Sequence, residues 1–179
     1  TDYAFVINPD VKFYKNTIDE LITLSLNHND YAILAPISDD IRYPNYKIKN
    51  KKSQNNDLEF LSVDSVDGYA MLINKNKFQD NFFFDENFFL YLENDDLCLR
   101  TKKENNKIYV SKKAKINHLG GKSHSPIYER EVEFSRNWHW MWSKFYFNKK
   151  HFGYSRAFLT SIPTLTTSII KFFYYFVTL

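Results

Sequence analysis

Three stretches of this sequence combine residue types able to hold a cation or move a proton. The first is Asn8-Pro9-Asp10, directly after the apolar run Tyr3-Ala-Phe-Val-Ile7. A carboxylate at the C-terminal end of a buried strand stands where open α/β sheets place their ligands. Aspartate is also a hard oxygen donor, suited to Mg²⁺ or Mn²⁺ bridging phosphates. Asn-Pro-Asp is equally an ordinary turn. The second stretch, Glu93-Asn94-Asp95-Asp96, follows the apolar Phe88-Phe89-Leu90-Tyr91-Leu92. Carboxylates at a helix start are favoured by the helix dipole, and the same field keeps a carboxylate ionised, as a general base must be. Capping and catalysis both remain open for it. Asp96 and Arg100 are spaced for an i,i+4 pair, which would leave Glu93 or Asp95 facing a cleft.

The third stretch is Asn117-His118-Leu119-Gly120-Gly121-Lys122-Ser123-His124. A histidine at a strand end beside paired glycines can reach a metal or a diphosphate, with Lys122 adding charge; a lone histidine is also commonly structural. Asp85-Glu86 and Val66-Asp67-Gly68-Tyr69-Ala70 are weaker signals. Gly68 either lets a backbone approach a ligand closely or forms a bulge in a strand.

The elements that must position these groups follow from periodicity and turn chemistry. Tyr3 to Ile7 reads as a buried strand. A helix is predicted from Thr17 to about Leu26, with Asn16 as its N-cap and Ile18, Leu21, Ile22, Leu24 and Leu26 as its apolar stripe. Tyr31 to Ala35 reads as a strand ended by Pro36, and the lysine- and asparagine-rich stretch from Ser38 to Asp57 reads as a solvated loop. Strand character returns at Phe60 to Val63, Val66 to Ile73, Lys107 to Val110 and Ala114 to Ile116. Helices are predicted over Glu93 to Lys103 and Tyr128 to about Lys150. Short strands alternating with helices favour an α/β fold.

The 179 residues fit one domain. Because Tyr3 to Ile7 already reads as a buried strand, part of the fold is expected to lie upstream of Thr1. The single cysteine, Cys98, allows no internal disulfide and fits a reducing compartment. A formal charge of +3 is too weak to argue for nucleic acid.

Taken in order, four blocks resemble the family 2 glycosyltransferases, in particular the rhamnosyltransferase-like branch that builds bacterial surface polysaccharides. They are Ile7-Asn8-Pro9-Asp10-Val11, Val66 to Ile73, Phe84-Asp85-Glu86-Asn87-Phe88-Phe89-Leu90-Tyr91-Leu92-Glu93-Asn94-Asp95-Asp96-Leu97-Cys98-Leu99-Arg100, and His118-Leu119-Gly120-Gly121-Lys122-Ser123. The resemblance runs from about Tyr3 to Phe152. It implies a GT-A-type nucleotide-diphospho-sugar transferase fold with a mostly parallel sheet and flanking helices. It implies inverting transfer of a sugar from a nucleoside-diphosphate donor to an acceptor hydroxyl, with a divalent metal, Mg²⁺ or Mn²⁺, as cofactor. Asp10 would hold the metal and His118 would help bind metal or diphosphate, while Gly68, Asp85, Glu86, Asn94 and Lys122 would line the substrate side. The chain departs from the pattern at Asn94, where the family carries its expected aspartate base, so that role passes to Asp95, Asp96 or Glu93. The family's nucleotide-binding strands precede the metal turn, and little precedes it here. The other classes these residues permit are a non-catalytic carbohydrate- or membrane-binding domain of the same fold and a metal-dependent phosphohydrolase.

The resemblance assigns residues 1–127 to the catalytic domain and leaves 128–179 as a helical extension. Aromatic residues make up 18% of the chain, many of them in its last third. Trp138, Trp140 and Trp142 share a predicted helix with Lys144, Lys149 and Lys150, a mixture that suits a membrane surface. Ala157 to Leu179 is long enough to span a bilayer, but Pro163, Lys171 and many Ser and Thr favour lying along it. The expected partners are thus a nucleoside-diphosphate-sugar, a glycan or lipid-linked acceptor and the cytoplasmic face of a membrane.

Overall fold

A computed structural model describes residues 2–48, 59–78, 82–119 and 126–178. The chain forms two compact units, Thr1–Asp85 with Glu93–Ser125, and Glu86–Leu92 with Pro126–Leu179.

The first unit is mixed α/β. Its strands are β1 (Tyr3–Ile7), β2 (Val11–Phe13), β3 (Tyr31–Ser38), β4 (Tyr46–Lys47), β5 (Phe60–Ser62), β6 (Ser65–Val66), β7 (Ala70–Asn74) and β8 (Lys107–His118); its helices are α1 (Thr17–Asn27) and α2 (Glu93–Lys103). The main sheet has the order β1-β7-β3-β8-β2, with β5 also paired to β8, and β4 and β6 form a separate small ladder. Among the described residues only β3 and β8 pair in parallel; β7 runs against both β1 and β3, and β2 and β5 run against β8. The expected mostly parallel sheet is therefore corrected to a mixed one. Crossovers through α1 and α2 keep β1, β3 and β8 in one direction, but β7 inserts between β1 and β3 and reverses the pairing there.

Local chemistry explains where elements depart from expectation. β3 continues through Pro36, which lacks a ladder N–H, and the register with β8 shifts between Pro36 and Ile37. β8 is accordingly one long strand where two short ones were expected. The strand expected over Val66 to Ile73 is broken by a turn at Gly68 and Tyr69. Asn16 makes no side-chain cap on α1; the Thr17 hydroxyl instead accepts from the Tyr14 amide at 3.0 Å. Asn105, with φ of 60°, ends α2 in the left-handed conformation that asparagine tolerates. Leu97 and Cys98 of α2 pack with Ala32, Ile33, Met71, Ile73, Ile108 and Val110 in the main core. Burial there raises the Cys98 thiol to about 12, which makes it an inert core residue.

The second unit contains α3 (Glu129–Phe152) and α4 (Tyr154–Thr178). Gly153, with φ of 89°, makes the break between them. Glu86–Leu92 belongs with these helices in space although the sequence groups it with the catalytic part. Phe88 is buried against Tyr146 and Phe147, and the Ser143 hydroxyl donates to the Leu90 carbonyl at 2.7 Å. No helix among the described residues is long and apolar enough to cross a membrane.

Candidate functional site

The three co-directional strands end in polar groups on one edge of the sheet. β1 leads into Asn8-Pro9-Asp10, β3 into Asp39, and β8 ends at His118. This is the edge where α/β sheets gather ligands. Pairing of β2 with β8 sets the first contact. Val11 lies opposite His118, so Asp10 falls beside the end of β8 and its carbonyl accepts from the Leu119 amide at 3.0 Å. The His118 Nε2 stands 3.4 Å from the Asp10 Oδ2. The Tyr69 ring stacks on the imidazole, with centroids 4.1 Å apart and planes 12° from parallel. The Tyr69 backbone carbonyl in turn accepts from the Asn8 amide at 2.9 Å, tying the Asn8-Pro9-Asp10 turn to the Gly68-Tyr69 turn.

The other Asp10 oxygen, Oδ1, is buried without a protein hydrogen-bond partner. An unsatisfied buried carboxylate oxygen is costly, and a cation or a donor from a ligand would relieve it. Oxygen from Asp10 suits Mg²⁺ or Mn²⁺, and nitrogen from His118 is a donor that a divalent transition ion accepts. Among the described residues no group of three or more His, Cys, Asp or Glu side chains gathers to hold a metal. The pair thus fits a divalent ion that takes its remaining ligands from water and substrate oxygens, as Mg²⁺ commonly does.

Beside this pair, Asp39 accepts from the Tyr14 hydroxyl at 2.6 Å and from the Asn117 amide at 3.0 and 3.2 Å. Those donors hold its carboxyl below the usual range. Asn45, fully buried with φ of 70°, donates to the carbonyls of Pro36 and Ala70 and so clamps β3 to the start of β7. Neither network had a sequence signal beyond the turn-forming character of Asp and Asn.

The N-terminus of α2 brings the second set of groups to the Gly68 turn. A Cβ added to Gly68 would meet the Asn94 Cβ at 3.3 Å and the Glu93 Oε1 at 3.5 Å. Close approach therefore explains this glycine; a bulge is not required. Glu93 Oε2 is buried without a protein partner, and burial, with the Asp95 charge adding to it, raises the Glu93 carboxyl above its ordinary value. Asn94 donates to the Val66 carbonyl at 2.9 Å. A carboxylate in that place would set oxygen against oxygen, so the amide is the group this packing requires. Asp95 lies 3.5 Å from the Lys47 ammonium, which also lies 3.7 Å from Asp67. Asp96 is fully buried and receives the Arg100 Nε at 2.9 Å; Arg100 also donates to the carbonyls of Phe82 and Phe83.

Asp10, His118, Gly68, Glu93, Asn94 and Asp95 are thus brought into one connected region by the turn at Gly68 and Tyr69. Asp96 is turned into an internal ion pair. Asp85 is buried and Glu86 is exposed; they fall in different units. Lys122 and the paired glycines lie outside the described residues. Tyr91 and Leu92, immediately before Glu93, have φ of 71° and 66°. Such left-handed conformations are strained for bulky residues and gather near functional sites, and nothing in Tyr-Leu foretold them.

No known family model and no curated protein matches the chain.

Proposed function

We propose that the chain carries the catalytic centre of a GT-A-type inverting glycosyltransferase, moving a sugar from a nucleoside-diphosphate donor to an acceptor hydroxyl of a surface glycan. One observation carries it. A buried, unpartnered Asp10 oxygen beside His118 is linked through Gly68 and Tyr69 to Glu93, whose Oε2 is buried without a partner and whose pKa is raised. The four-block resemblance gives this pairing of a cation site and a base its chemical context.

Asp10 and His118 would hold the divalent ion, which when bound neutralises the diphosphate as it leaves. Tyr69 fixes the imidazole plane by stacking. Glu93 takes the proton from the acceptor hydroxyl at its carboxylate oxygen. The acceptor oxygen then bonds to the anomeric carbon, and the bond to the diphosphate breaks with its electron pair leaving on the phosphate oxygen. A carboxyl raised toward neutrality is better matched to that proton transfer than an ordinary one. Asp95, held near Lys47, is the alternative base. The Asp96 carboxylate orients Arg100 and the chain around Phe82 and Phe83.

The test is release of nucleoside diphosphate by the protein expressed from its full reading frame, with a panel of sugar nucleotides, acceptors, and Mg²⁺ or Mn²⁺. Metal-dependent release is expected. A folded protein silent across the panel would favour the second reading, a carbohydrate-binding domain that lacks the aspartate base, for which the structural use of Asn94 is the supporting observation.

A further inference from the structure

The second unit places its side chains against the usual rule for a water-soluble helical hairpin. On α4 the face turned to α3 is mixed: Ala157 is fully buried, and Ser161, Thr164 and Leu165 line a shared cavity of about 240 Å³. The large apolar residues Phe158, Ile162, Ile169 and Phe173 recur at helical spacing and are between 42% and 66% exposed. On α3, Trp138, Trp140 and Trp142 are also exposed. The cavity walls from α3 are Trp138, Met141, Trp142 and Phe145, with Lys144 among them. Large apolar side chains left exposed in a row make a surface suited to an apolar layer.

The polar groups of α4 fit the same surroundings. The hydroxyls of Thr160, Ser161, Thr166 and Thr167 donate to carbonyls of their own helix at 2.8 to 2.9 Å, so they need no water partner. The charge is one-sided. From Phe134 to Leu179 there is no Asp or Glu, while Arg136, Lys144, Lys149, Lys150, Arg156 and Lys171 are all basic. Around the break between the helices, cations sit over rings: Lys149 Nζ is 4.8 Å from the Tyr154 centroid and Arg156 Cζ is 4.0 Å from that of Phe152. Basic heads beside aromatic rings are a combination suited to the headgroup layer.

We propose that the α3–α4 hairpin docks on an anionic phospholipid surface, with the exposed stripe of α4 lying among the acyl chains and the basic residues meeting lipid phosphates. No helix among the described residues is apolar enough to cross, so the hairpin lies along the surface. This attachment does not depend on sugar transfer, and its test reads binding only.

The full-reading-frame protein is floated with phosphatidylcholine vesicles, alone or with about one-third phosphatidylglycerol. Binding to the anionic vesicles is expected to exceed that to phosphatidylcholine at least tenfold and to weaken with salt. Phe158→Ser with Ile169→Ser should lower it on the order of 100-fold while circular dichroism stays native. Lys149→Glu with Lys150→Glu should remove the preference for anionic lipid. Ile41→Ser, at an apolar residue 92% exposed in the first unit, should change nothing. Equal binding to both vesicles, or loss with Ile41→Ser, would overturn the proposal. So would a protein that ignores vesicles but dimerises in sedimentation, a state in which a second copy covers the stripe.

Discussion

Leu97 and Ile169 are both large aliphatic residues on helices, yet Leu97 is fully buried in the first unit while Ile169 stands 46% exposed in the second. In α2 the apolar side chains enter the core and the carboxylates collect at the helix start. In α4 Ala157 is fully buried while Phe158, Ile162, Ile169 and Phe173 stand exposed. A helix stripe therefore says which side chains share a face, and the surroundings decide which face turns in. The first unit also keeps costly features, the unpartnered oxygens of Asp10 and Glu93. On the proposed function, those costs belong to the site that does the chemistry.

The contrast is broken most severely at the site. Asp10→Ala should lower metal-dependent release of nucleoside diphosphate by on the order of 10³, and Glu93→Gln by about 10²–10⁴, both with thermal midpoints close to wild type. Unchanged turnover in either variant would remove that residue from the mechanism. Next come the apolar residues: Leu97→Ala should cost about 2–5 kcal/mol in denaturant unfolding, and Ile169→Ser less than about 0.5 kcal/mol. Comparable losses would mean that the α4 stripe is packed within the protein.

The smallest effect concerns Glu93 and pH. Its carboxyl is raised in the folded state, so that state holds the proton more tightly than the unfolded chain does. The ionised group therefore costs stability at high pH, and the cost fades as pH falls through the raised value toward the ordinary 4.5. Glu93→Gln should be more stable than wild type at neutral pH and converge with it in acid. Activity should run the other way, rising with pH as Glu93 ionises. A wild-type minus variant difference that is flat with pH would show that Glu93 is not the buried, titrating group.

Much of the framework was legible. Tyr3–Ile7, the Thr17 helix and Glu93–Lys103 appear where the apolar spacing puts them, because each is a long local pattern or is bounded by strong turn residues. Tyr3–Ile7 is half-buried, however, where a buried strand was expected, since among the described residues it pairs only with β7 in the order of the sheet. The Asp96–Arg100 pair followed from helical spacing. Sheet direction was not legible, since the position of β7 between β1 and β3 depends on contacts far apart in sequence. Pro36 misled for a related reason: β3 tolerates it where a shifted register in β8 absorbs the missing donor.

Residue order alone named the groups able to do chemistry: a carboxylate after the first strand, a histidine at the end of the last, and acids at the start of α2. It also determined the one-sided charge of the final helices. Which of these groups meet, and which are buried, came from packing. Strand register set His118 against Asp10, Gly68 admitted Glu93, Arg100 took Asp96 out of solvent, and Val66 claimed Asn94. Residue type fixes what a side chain can do, but proximity and burial fix what it does, and both arise from contacts between distant parts of the chain.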